Sequence, residues 1–241
     1  MAKRGKIEKK LPLRETEERP VQRRKYKYWV LIVCEDEKTE PYYFGVIKKQ
    51  FPDETVFIHS VGTGRSSKGV VKKAIEEKQK LYEESNKEVD EVWAVFDKDD
   101  AEKSQGNVQR FEEAFNLAEK ENVKVAYSNE AFELWLLLHF IDISSEKPIP
   151  RAEINSQLEI CINKGRKNST QFVYEHGDTE VIDIVVKSGN ETKAIERADR
   201  LNAEHEKEKH TPIEANPNTK VNALVKSLRE LIQYYSYTPD I

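Results

Sequence analysis

KYWVLIVCE, residues 27–35, is a near-continuous apolar run, rich in β-branched side chains, that ends on an acid. A strand with one wet face would alternate polar and apolar residues. This run does not alternate, so it reads as a strand buried on both faces, as in a parallel sheet covered by helices. Parallel neighbours need a helical crossover, and the next residues supply one. Thr39 is placed to cap a helix with Pro41 in its first turn, where a missing N–H costs little. That helix is expected to run to about residue 50, where Phe51-Pro52-Asp53 interrupts it.

The pattern then repeats. TVFIHSV (55–61) reads as a second strand, GTGRSSKG (62–69) as a loop, and residues 70–84 as a helix with Val70, Ala74, Ile75, Leu81 and Tyr82 at helical spacing. VDEVWAVF (89–96) is a third strand, 107–121 a helix, and VKVAYS (123–128) a fourth strand. NEAFELWLLLHF (129–140) reads as a helix apolar around nearly its whole girth. Alternation of strand and helix predicts an α/β fold with a mainly parallel sheet flanked by helices over residues 28–140. The C-terminal half, 141–241, reads as mostly helical: 151–164, 191–209 and a final helix over 216–231 opened by a turn. The segment 180–187 fits strand or helix equally well. Both halves are expected to form a single domain over 28–241.

Composition narrows the class. Hydrophobic residues make up 37% and charged residues 35%, with a net charge of -4. Residues 1–27 hold eleven Lys and Arg against four Glu, so a basic leader, read as disordered, precedes an acidic body. LWLLLHF (134–140) is far too short to span a bilayer, and no apolar segment follows the basic N-terminus, so a cytoplasmic protein without a membrane partner is expected. Two cysteines, Cys34 and Cys161, make no disulfide or metal framework.

The chemistry is carried by acids. VFDKDD (95–100) places Asp97 and Asp99 on one side of the third strand's C-terminal end, where open α/β sheets bind ligands. Paired carboxylates repel unless a cation lies between them, and oxygen donors suit Mg²⁺ or Mn²⁺. D-x-D alone is more simply a solvated loop. The first strand also ends in acid, at Glu35, and strands one and three would bring Glu35 beside Asp97 and Asp99 if they were neighbours. Asp36, Glu37, Glu40 and Asp100 read as loop or helix-start charges. Glu133 sits on a helix with almost no polar face, so it needs a partner: a cation, a metal or strong donors. Arg65 and Lys68 in the glycine loop could hold a phosphate, although a plain mobile loop is the simpler reading, and Lys38 and Lys98 flank the acid clusters. His139 reads as a satisfied core histidine, and Glu130 as a first-turn charge.

Four stretches in order carry a resemblance: VCEDEKTEPYYF (33–44), VFDKDD (95–100), SNEAFELWLLLHF (128–140) and NPNTKVNALV (216–225). With these the chain resembles the RloB-like family, found beside bacterial restriction and phage-defence loci. The resemblance implies a Toprim-like core in which Asp97 and Asp99 bind Mg²⁺ or Mn²⁺ and Glu35 does acid/base work. Asp36 stands where many Toprim relatives carry glycine. The function so implied is a metal-dependent nuclease acting on DNA or RNA in an anti-phage system. The alternative is a non-catalytic nucleic-acid or nucleotide-binding partner that regulates an ATPase encoded nearby. Self-association as a homo-oligomer is left open.

Overall fold

The computed structural model describes residues 25–98, 105–164, 166 and 171–237. The basic leader, apart from its last residues, lies outside that range. Strands β1 (Tyr28–Cys34), β2 (Val56–Gly62), β3 (Glu91–Asp97), β4 (Lys124–Asn129) and β5 (Asn218–Thr219) form one sheet in the order β2-β1-β3-β4-β5. The first four are parallel, and only β5 pairs antiparallel. Register places Val30 opposite Glu91 and Cys34 opposite Val95, so β1 and β3 are neighbours and β3 runs two residues beyond the end of β1.

The apolar run of β1 is buried on both faces. Val30, Ile32 and Cys34 join one apolar cluster, while Trp29, Leu31 and Val33 join the other. In β3, Trp93 and Val95 face the first cluster, and Val92, Ala94 and Phe96 face the second. Helix α1 (Thr39–Lys48), between β1 and β2, covers the first face through Tyr43, Phe44 and Ile47. Helices α2 (Ser67–Ser85) and α3 (Gln105–Lys120) cover the other through Val70, Val71, Ala74, Phe111, Ala114 and Ala118. The connections therefore change side between β1 and β3. A crevice opens at such a point, outside the carboxyl ends of the strands.

The C-terminal half completes the first face. Helices α4 (Glu133–Leu138), α5 (Arg151–Lys164), α6 (Glu180–Ser188), α7 (Glu191–Lys207) and α8 (Val221–Tyr237) contribute to the same apolar cluster as β1 and α1. The ambiguous segment is the helix α6. Val181, Ile182 and Val185 are buried together at helical, not alternating, spacing. No helix among the described residues is long and apolar enough to cross a membrane.

Two expectations change. NPNTK is not the opening turn of the last helix: Asn218 and Thr219 extend along β4, with Thr219 opposite Ser128 and their hydroxyls 3.0 Å apart. The Lys220 N–H donates to the Tyr127 carbonyl, so the β4 edge is paired rather than open. The helix expected from residue 129 is also shorter. Asn129 stays in β4 to pair with Asn218, and α4 begins only at Glu133. Ladder pairing between residues 90 apart in sequence has no local signature.

Phe96 is fully buried and meets Phe111 and Phe115 edge-on at 5.8 and 5.7 Å. Phe96→Ala is expected to cost about 3–5 kcal/mol of folding stability, read from the midpoint of urea denaturation.

Candidate acidic cleft

Glu35 follows directly on β1, and its backbone is held from two sides. Its N–H donates to the Val95 carbonyl (2.9 Å), continuing the ladder to β3, and its carbonyl accepts the Gly64 N–H (2.8 Å). Beside it the Thr63 hydroxyl donates to the Cys34 carbonyl at 2.9 Å. Gly62 allows the loop to lie this close, because a Cβ there would fall 2.5 Å from the Glu37 Cα. The glycine loop, most simply read as a plain mobile loop, thus seats the acid-bearing loop. Glu35 then turns its carboxylate across the sheet end, where Oε2 accepts the Asp97 N–H at 3.0 Å.

Asp97 is the last residue of β3 and lies on the face of Trp93 and Val95, which the C-terminal helices cover. There Arg151, the first residue of α5, donates from Nη2 to Asp97 Oδ2 at 3.0 Å. A cation at a helix N-terminus opposes the positive end of the helix dipole, and the carboxylate offsets that. Asp99 and Asp100 lie outside the described residues.

A cleft of about 760 Å³ opens here, lined by Glu35, Asp97, Lys98, Glu130, Arg110 and Arg151 among others. The Lys98 ammonium lies 3.2 Å from Glu130 Oε1, with both side chains almost wholly buried. The Asn216 amide donates to the same oxygen at 3.0 Å. Glu130 is therefore not a first-turn charge: it precedes α4 and ties the β4 end to the NPNTK segment. Lys98 balances its charge.

Behind the cleft wall lies a second set of carboxylates. Glu133 is buried at the start of α4 and accepts a short hydrogen bond from the Tyr174 hydroxyl. Burial, with the charge of Glu133 next, pushes the Tyr174 hydroxyl up. Glu40 corrects the sequence reading, because it is buried rather than a solvated helix-start charge. Burial, then repulsion from Glu35, holds Glu40 well above the usual carboxylate range, against the Asp36 N–H that donates to it at 3.2 Å. Asp36 performs the capping expected of Thr39, its Oδ2 accepting the Thr39 N–H at 2.6 Å. Burial works to raise the Asp36 carboxyl, but the N–H groups of Thr39, Glu37 and Lys38 outweigh it and leave the carboxyl low.

Lys68, Arg65 and Lys38 do not line the cleft. Lys68 pairs with Glu113 at 2.5 Å, Arg65 lies 4.0 Å from Glu76, and Lys38 is exposed beside Gly177. His139 is buried edge-on against Trp135, and burial pushes it down to about 4, so it is a neutral core histidine. Among the described residues no group of three or more His, Cys, Asp or Glu is placed to hold a metal ion.

Four residues of this neighbourhood escaped the sequence reading: Glu40, Tyr174, Arg110 and Arg151. Arg151 left the clearest trace, as a lone cation directly after Pro150 at a helix start. Tyr174 left none, because it stands in an irregular segment.

Fold and cleft together define a mainly parallel α/β protein with carboxylates at the point where the sheet's connections change side. A family model described as "RloB-like protein" matches residues 30–228, and the chain belongs to the RloB-like family. No curated protein and no solved structure matches the chain.

The buried acid Glu40 makes stability depend on pH. Its folded form keeps a proton that the unfolded chain releases above the ordinary carboxylate range, so it lowers stability as pH rises through and beyond that range. In EDTA, Glu40→Gln is expected to be more stable than wild type at about pH 8, with the advantage vanishing toward about pH 4. Urea denaturation at both pH values reads the difference. Equal margins at the two would contradict a protonated Glu40.

Proposed function

We propose that the chain is a metal-dependent nuclease with a Toprim-like core, hydrolysing phosphodiester bonds of DNA or RNA in a bacterial anti-phage or restriction-associated system. One observation carries this reading: Glu35 and Asp97 meet at the C-terminal ends of the neighbouring strands β1 and β3, in a cleft of about 760 Å³. A defence setting places the protein in the cytoplasm, with an ATPase as the partner to look for first.

The donor chemistry fits a hard divalent cation. The cleft's acids offer only oxygen, and Asp97 already holds a cation in Arg151. Among the described residues the set is short of three donors, and Asp99 is the residue proposed to complete it. Mg²⁺ or Mn²⁺ would be held by Asp97 and Asp99 with Glu35 beside them, neutralising the phosphate and activating a water. The chain's own part is then positional. Glu35, fixed by the Asp97 N–H, takes the proton of the attacking water as general base. Arg110 and Arg151 line the cleft and would meet phosphate oxygens from its walls.

A second reading draws on the Arg151–Asp97 pair. An aspartate already neutralised by arginine needs no metal, as suits a nucleic-acid or nucleotide-binding partner without catalysis. Cleavage assays separate the two. Asp97→Asn and Glu35→Gln are each expected to lower Mg²⁺- or Mn²⁺-dependent cleavage of DNA or RNA by about 100-fold or more, with the circular dichroism spectrum unchanged. Wild type that stays inert across both substrate classes, yet binds them equally well in EDTA, selects the non-catalytic reading.

A further inference from the structure

The Arg151–Asp97 ion pair joins the α/β core to the helical half, and it occupies the carboxylate proposed for the metal. Arg151 is the first residue of α5, it lines the cleft, and its side chain remains 37% exposed. The pair is open to solvent on its Arg151 side, while the Asp97 side chain is only 14% exposed, so the guanidinium is the end with room to leave. A divalent cation outcompetes such a partner. Once the ion is at Asp97, a guanidinium on the same carboxylate is repelled.

A displaced Arg151 has a destination. Arg110, exposed on α3, lines the same cleft from the opposite face of the sheet. The guanidinium fork matches two phosphate oxygens, and the N-terminus of α5 adds its own attraction for an anion.

Resting on the nuclease reading, we infer that Arg151 is the exchangeable counter-ion of Asp97. Divalent metal displaces it into a phosphate subsite shared with Arg110, which receives the nucleic-acid backbone. Metal binding and substrate binding are then coupled through one side chain. The cleft carries a balancing charge when empty and offers that charge to phosphate when the metal is in place.

The test uses the full chain and two variants, Arg151→Gln and Arg110→Gln. Mn²⁺ affinity without nucleic acid is read by titration calorimetry or by the spectrum of free Mn²⁺. Binding of labelled DNA and RNA oligonucleotides is read by fluorescence anisotropy, in Ca²⁺ and in EDTA. Arg151→Gln is expected to bind Mn²⁺ about two- to fivefold tighter than wild type, because the competitor is gone. Arg110→Gln is expected to leave Mn²⁺ affinity unchanged. In Ca²⁺ each variant loses oligonucleotide affinity, and its salt dependence falls by a slope of about 1. In EDTA only Arg110→Gln shows that loss, since Arg151 is then held on Asp97. Whichever of DNA and RNA binds tighter names the substrate class.

Unchanged or weaker Mn²⁺ binding by Arg151→Gln overturns the exchange, as does an equal loss of oligonucleotide affinity in Ca²⁺ and EDTA. Wild type that binds no Mn²⁺ overturns the nuclease reading itself. If Arg151→Gln does not fold, Arg151→Lys keeps the charge without the fork. It is expected to hold near wild-type Mn²⁺ affinity and to lose oligonucleotide affinity in Ca²⁺ alone; unchanged oligonucleotide affinity would overturn the subsite.

Discussion

The hydrogen bond from the Asp97 N–H to the Glu35 carboxylate joins the two strand ends on which the rest of the cleft depends. It is possible because β1 and β3 are adjacent and parallel, with Cys34 opposite Val95. Their adjacency in turn follows from the crossovers. The chain leaves β1 through α1 on one face and returns through α2 on the other, so β3 joins the side of β1 that β2 left open. Two acids 62 residues apart in sequence thus meet at the sheet end that lines the cleft.

The balance of charge around that bond is drawn from every layer. Arg151 comes from the helical half, Lys98 follows β3, and Glu130 follows β4, each reaching the cleft from a different element. Glu40 and Glu133 lie behind it, buried, with Tyr174 donating to Glu133. Packing this many carboxylates near one strand end costs free energy, which falls to partners: N–H groups, a tyrosine hydroxyl, buried Lys98 and half-exposed Arg151. The helical half therefore does more than cover an apolar face. It delivers the cation that Asp97 holds, and through Asn216 it steadies Glu130.

Much of this was legible in one dimension. The apolar run of β1, the helical spacing of α2 and α3, and the bounds of α5 are local patterns of side-chain period, and the structure follows them. The acids at the ends of β1 and β3 were readable for the same reason, since each directly follows such a run. What was illegible depended on partners far away in sequence. Glu40 reads as a helix-start charge because nothing nearby announces that it will be buried within reach of the charges of Glu35 and Glu133. The NPNTK segment reads as a turn because its pairing with β4 is decided 90 residues earlier.

The sequence by itself determined strands β1 to β4 and the helices between them, the two-sided burial of the central strands and the identity of the acids that end them. These are consequences of local period and of the cost of leaving apolar surface in water. Tertiary structure alone decided which acids meet, which are buried and which cation answers them. Electrostatic interaction depends on distance and on the surrounding dielectric, and both are set only when β1, β3, α4 and α5 pack together.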